Sequence, residues 1–200
     1  MATQQPTQNN EDPQAQQPAP SSASTQPTEI SENNIYVSLT HSPLDYTSTI
    51  DRVRSPEAGA IVIFAGTTRN NFNNLPVQHL SYTSYAPLAL RTMLTICRSM
   101  VSKHGLKGIA MVHRLGVVPI GEESILIAVS SPHRQAAWRA GEEALEECKE
   151  KVEVWKREEF GGEEGGVWRA NRDGKIGVRV DKARIGGGDG RGEKEEEVKP

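Results

Sequence analysis

The sequence predicts an α+β domain with a mainly antiparallel sheet, flanked by disordered extensions. Three observations lead there. Short apolar runs bounded by Gly, Pro and Asn recur through the middle of the chain and read as strands. They come in pairs joined by short turns, with helical patterns between the pairs, in the order β-α-β-β-α-β-β-α-β. Neighbouring strands in such pairs favour antiparallel pairing over a doubly wound sheet. Both ends, finally, lack the large apolar side chains that would offset ordering entropy. The expected division is a disordered extension over 1–34, one domain over 35–182 and a disordered tail over 183–200.

Within the domain, residues 34–39 (NIYVSL) form the first predicted strand, with Ile35 and Val37 on one face. A short helix follows, capped by groups among Asp45, Tyr46, Thr47 and Ser48. Residues 59–66, an apolar run between Gly59 and Gly66, read as a buried strand, and Arg69 is the only charge in the polar loop after it. Residues 78–85 alternate as a strand. Pro87 then opens a helix through Leu88, Met93, Leu94, Ile96, Cys97 and Met100, which Gly105 ends. Residues 108–115 and 124–130 are two further strands joined by a turn containing Pro119 and Gly121.

The stretch from Ser130 to Glu158 organises the rest. Ser130, Ser131 and Pro132 read as a helix start, with His133 and Arg134 beside the free N–H groups, a ready place for an anion. Ala137, Ala140, Ala144 and Cys148 mark the buried face, Lys149 ends the helix, and residues 152–155 alternate as a strand before Lys156, Arg157 and Glu158. Beyond a glycine-rich loop, Val167 and Trp168 resume order, and residues 177–180 supply a last short strand. Trp155 and Trp168 are expected in the core.

Charge narrows the function. Residues 1–34 carry four acids and no Lys or Arg, leaving 22 acids against all 23 basic residues in 35–200. A near-neutral domain argues against general nucleic-acid binding. Cys97 and Cys148 sit on apolar helix faces and read as small buried hydrophobes. No C-x-x-C occurs, and the five histidines lack zinc-ligand spacing, so neither a metal site nor a cofactor is expected. P-loop, dinucleotide and G-x-S-x-G signatures are absent from the sequence. There is no signal-peptide or transit-peptide pattern, and no apolar run approaches the roughly 20 residues of a membrane span. The expected setting is the cytosol, away from membranes.

Single residues say less than the set. Arg69, Lys149 and Lys156 each have a bland reading as solvated side chains, and His113-Arg114 lies in a strand with Arg114 free to face solvent. As an ordered series, however, the chain resembles the large, catalytic subunit of molybdopterin synthase. The carriers are Gly59-Ala60, residues 64–70 (FAGTTRN), 82–89 (YTSYAPLA), 113–116 (HRLG), 119–122 (PIGE), 130–134 (SSPHR) and 155–158 (WKRE). The likeness spans about residues 35–172.

The resemblance implies an α/β hammerhead-like α+β domain that forms the central dimer of a heterotetramer. It implies a small ubiquitin-like sulfur-carrier subunit as partner, whose Gly-Gly tail ends in a thiocarboxylate. Two sulfurs would pass in turn to cyclic pyranopterin monophosphate (precursor Z), making the dithiolene of molybdopterin. The substrate-binding positions fall on Arg69, His133, Arg134, Lys149, Lys156, Arg157, Glu158 and Arg172, with Lys149 and Lys156 as the catalytic pair. Thr83-Ser84 stands where family members often carry an acidic residue followed by a small one. Two rivals have different consequences: a non-catalytic adaptor for a ubiquitin-like Gly-Gly tail, and a phosphate-ligand binding protein with no protein partner. An adaptor has no need of both lysines.

Overall fold

The computed structural model describes residues 28–72, 74–160, 166–170 and 178–180. In chain order the elements are β1 (Glu29–Glu32), β2 (Ile35–Thr40), α1 (Tyr46–Asp51), β3 (Ala60–Thr67), β4 (Asn71–Phe72), β5 (Leu75–Ser84) and α2 (Ala86–His104). They continue with β6 (Gly108–Arg114), β7 (Gly116–Pro119), β8 (Glu123–Ser131), α3 (Arg134–Lys151), β9 (Val154–Phe160), β10 (Gly166–Ala170) and β11 (Val178–Val180).

Two sheets result. One has the order β1-β2-β6-β8-β3, and the other runs β11-β10-β9-β5-β4 with β7 also paired to β5. Every pairing is antiparallel except β2 with β6. That is the mainly antiparallel α+β domain the sequence predicts.

Helices α2 and α3 cover one face of the first sheet. Leu90, Met93 and Met100 of α2 pack there with Val37, Ile109, Met111 and Ile127, all nearly inaccessible. Burying side chains of this size is worth about 1.5–3 kcal/mol each. Helix α3 meets the sheet with small residues, Ala137, Ala140, Gly141 and Ala144, which bring its axis close. A Cβ on Gly141 would just touch Val129 and Val62 at 4.0 Å. The opposite face carries α1 and a smaller cluster of Val53, Ala110 and Ala128. Gly105 closes α2 in the left-handed conformation (φ 62°), as its place in the sequence implies.

The structure departs from expectation at three boundaries. Strand β1 lies inside the segment expected to be disordered. It pairs with β2 through a turn at Asn33 (φ 45°), Ile30 packs on the core, and Arg98 bonds Glu32 at 2.5 Å. Residues 1–27 and the tail over 183–200 lie outside the described residues. Residues 116–119, expected as a turn, form β7 along β5.

The third departure is the start of α3. Ser130 and Ser131 do not cap it: they extend β8, opposite Ile61 and Ala60, and are 0% and 1% exposed. His133 is the N-cap and makes no side-chain cap bond. The β-period of residues 124–131 outcompetes the capping tendency of the serines, because both side chains find burial in the sheet.

Candidate functional site

Strand register decides which predicted residues meet. In β9, Val154, Lys156, Glu158 and Phe160 share one face, while Trp155, Arg157 and Glu159 point to the other. Lys156 is only 16% exposed, and its Nζ lies 3.7 Å from Oε1 of the buried Glu158. Arg157 is turned away from them and forms an ion pair with Glu159, 2.9 Å apart. Trp155, expected in the core, is 43% exposed on that outer face.

Lys156 stands opposite Tyr82 of β5. Tyr82 is buried and meets the His113 ring edge-on, with centroids 5.0 Å apart. His113 in turn pairs with Ile125, and Ile125 with Gly66 at the end of β3 just before Arg69. This ladder puts Arg69 and Lys156 at the same end of the molecule. Burial pushes the His113 imidazole down to about 4, so it is neutral at physiological pH. Its Nδ1 lies 2.9 Å from the Arg114 carbonyl.

Helix α3 packs back along β8 and β3, so its C-terminal end, with Lys149, returns to this same region. Lys149 is 29% exposed, in the last turn, where a cation is favoured by the helix dipole. Only Val152 and Glu153 separate helix from strand, so Lys149 and Lys156 flank one sharp turn.

His133 and Arg134 are at the opposite end of α3. Fifteen residues of helix separate Arg134 from Lys149, an axial rise of about 22 Å. There they line an open groove of about 670 Å³ with Gly59, Trp138 and Arg139. A Cβ at position 59 would stand 2.5 Å from the Pro132 carbonyl oxygen, so the glycine is what lets β3 pass the α3 entrance. Trp138 is 63% exposed in this groove. Arg69 is also exposed. Arg172 lies outside the described residues.

Thus the chain places Lys149, Lys156, Glu158 and Arg69 toward one end and His133 with Arg134 toward the other. Residue-by-residue reading missed three participants. Tyr82 and His113 are brought to Lys156 only by sheet register, which short-range pattern does not reveal. Arg114, expected to face solvent, is buried and bonds Glu122 at 2.5 Å. Glu122 also accepts the Thr68 N–H on its backbone carbonyl, 3.0 Å away, tying the Arg69 loop to the β7–β8 turn.

The cysteines are not placed for chemistry. Both are buried in the helix layer, and burial raises both thiols, Cys148 to about 12. Neither has thiolate character near neutral pH. Among the described residues no group of three or more His, Cys, Asp or Glu could hold a metal. No helix among them is long and apolar enough to cross a membrane.

The model of the MoaE protein family matches residues 39–151. A molybdopterin synthase catalytic subunit from Neurospora crassa is 82% identical over 189 residues, covering 94% of this chain and 91% of the relative. One from Sclerotinia sclerotiorum is 72% identical over 154 residues, covering 77% and 79%. Among solved structures, molybdopterin synthase from Staphylococcus aureus superposes with a TM-score of 0.62 at 33% identity, covering 66% of this chain and 94% of that one. A complex of subunits 1 and 2 of the molybdopterin-converting factor from Helicobacter pylori, at 23% identity and TM-score 0.53, shares the fold. By sequence and by fold, this chain belongs to the MoaE family of molybdopterin synthase catalytic subunits.

Proposed function

We propose that the chain moves two sulfurs, one after the other, from the thiocarboxylated tail of a small ubiquitin-like subunit to cyclic pyranopterin monophosphate. The enzyme class is that of its family, sulfur transfer in molybdenum cofactor biosynthesis. Each transfer forms a carbon–sulfur bond on the pterin as a carbon–oxygen bond to the same carbon breaks, and water then hydrolyses the tail's carbonyl–sulfur bond, supplying the oxygen that restores the tail carboxylate. Negative charge gathers on the tail carbonyl oxygen as that bond is attacked. Lys149 and Lys156 stabilise it or pass a proton, and Glu158 holds the Lys156 ammonium in place.

The observation that carries this reading is the pair of lysines flanking one turn, both half-buried and held on rigid elements. A cation fixed in such a place is worth more to a developing oxyanion than a mobile surface lysine.

The substrate phosphate goes to His133 and Arg134. Since about 22 Å of helix separates Arg134 from Lys149, these groups reach one pterin only if a second copy contributes them. We therefore read the self-dimer as part of the active site: Lys149, Lys156 and Arg69 from one protomer, His133 and Arg134 from its partner. The cytosol is the setting that fits these substrates. The test is reconstitution of the full chain with thiocarboxylated small subunit and cyclic pyranopterin monophosphate. Molybdopterin should form, and should form about 10²-fold or more slowly with Lys149→Ala. Tight complex formation without product would mean an adaptor instead.

A further inference from the structure

The turn that sets the two lysines against each other is gripped by hydroxyls from two other elements, and we propose that Ser84, Thr92 and Glu153 are positioning residues for the sulfur-transfer reaction. The proposal rests on the reading of Lys149 and Lys156 given above. Val152 ends α3 as its C-cap in extended conformation (φ −73°, ψ 135°), its N–H donating to the Cys148 carbonyl at 3.0 Å. The Val154 N–H then donates back to the Val152 carbonyl at 2.8 Å. A bond between residues two apart is that of a γ-turn, a reversal centred on one residue, here Glu153.

Such a turn has a single backbone bond of its own. Glu153 is held instead from outside. Ser84 Oγ donates to the Glu153 carbonyl at 2.8 Å, and Thr92 Oγ1 donates to Glu153 Oε2 at 2.9 Å. Ser84 is the last residue of β5 and pairs with Val154, whereas Thr92 belongs to α2. The sheet and the second helix therefore grip the same residue. All three side chains are partly shielded from water, and the bond to the carboxylate is charge-assisted, which makes it the stronger of the two.

The consequence falls on the lysines. Lys149 lies four residues before Glu153 and Lys156 three after it. Rocking of this turn changes the angle between the last turn of α3 and β9, and both ammonium groups move with it. Packing of Val152 and Val154, 7% and 2% exposed, keeps the chain in place without the hydroxyls. What the hydroxyls add is orientation, which matters for a transition state more than for the fold.

The experiment compares Thr92→Val, Thr92→Ser and Ser84→Ala in the reconstituted complex, using thiocarboxylated small subunit and cyclic pyranopterin monophosphate. Thr92→Val keeps the shape and loses the donor. It should lower kcat about tenfold while KM, small-subunit affinity and the melting midpoint stay close to wild type. Ser84→Ala should fall in the same direction, and Thr92→Ser should restore turnover. Unchanged kcat in Thr92→Val, a Thr92→Ser variant as slow as the valine, or a loss matched by the unfolded fraction would each overturn the proposal. Lys149→Ala and Lys156→Ala run alongside. If they lose turnover and Thr92→Val does not, only the positioning role fails; if they turn over normally, the site reading fails and this proposal with it.

Discussion

Arg134 and Lys149 occupy opposite ends of one unbroken helix, the first residue of α3 and its last turn. They cannot meet on one small substrate within a protomer, and their roles should separate in kinetics. In the proposed function Arg134 contacts the substrate phosphate in ground and transition states alike, so Arg134→Ala should chiefly raise KM. Lys149 is proposed to act where charge develops during transfer, so Lys149→Ala should lower kcat by about 10²-fold or more. Small-subunit affinity, measured by titration, should change little in either. A normal kcat in Lys149→Ala would remove it from the chemistry.

His113 should make the fold acid-sensitive above the range where carboxylates titrate. Burial lowers its folded pKa to about 4, from an ordinary 6.5. The unfolded chain therefore binds the extra proton first as pH falls. Stability is fully present above pH 6.5 and is lost on the way down to about 4, by at most about 3 kcal/mol. Melting midpoints from pH 7.5 to 5 should show this loss, and His113→Phe, which keeps a ring against Tyr82, should flatten that part of the curve. An equally steep wild-type and variant curve would place the sensitivity elsewhere.

Truncation should distinguish residue 27 from residue 34. Residues 1–27 are mostly Gln, Pro, Ser, Thr, Asn and Ala with almost no large apolar group, and their removal should leave melting and turnover nearly unchanged. Removal of 1–34 also deletes β1, the Ile30 contact and the Glu32–Arg98 pair. That should cost about 1–3 kcal/mol, read as a lower melting midpoint. Equal midpoints for the two truncations would show that β1 contributes nothing.

Changing Cys97 and Cys148 together to Ala should destabilise the protein through lost packing, by about 1–2 kcal/mol per site. Turnover of the folded fraction should persist. An obligatory persulfide on either residue, detected by mass spectrometry during turnover, would contradict the assignment of sulfur transport to the partner's tail.

Much of this was legible in the chain because local pattern and tertiary outcome agree. The apolar spacing of α2 with Gly105 at its end declares itself, and so does the strand at β3, but not its setting: expected to be buried, β3 is an edge strand with Val62 in the core and Ile61 38% exposed. Strand β1 does not, since a single Ile30 among polar residues makes no pattern and its stability comes from pairing with β2. The Ser130-Ser131 pair misled because two rules compete there, and burial in the β3–β8 ladder wins over capping. The motifs marked Lys149 and Lys156 as a pair, but no spacing rule reveals that Glu153 turns the chain between them. Nor does the sequence show that Tyr82 and His113 meet edge-on beside Lys156, which strand register sets. The placing of His133 and Arg134 at one end of the helix and Lys149 at the other, by contrast, follows from the sequence pattern and is what the structure has.

The measurement that bears most directly on a site shared between two copies is subunit complementation. Arg134→Ala and Lys149→Ala chains, each poorly active alone at substrate below the wild-type KM, are unfolded together, refolded as mixed dimers and supplied with thiocarboxylated small subunit and cyclic pyranopterin monophosphate. In a mixed dimer one site carries both substitutions and the other carries neither. With random pairing, molybdopterin formation should recover to about a quarter of the wild-type rate. If both residues serve the same protomer's site, mixing restores nothing, and a rate no higher than the average of the two variants would contradict the account.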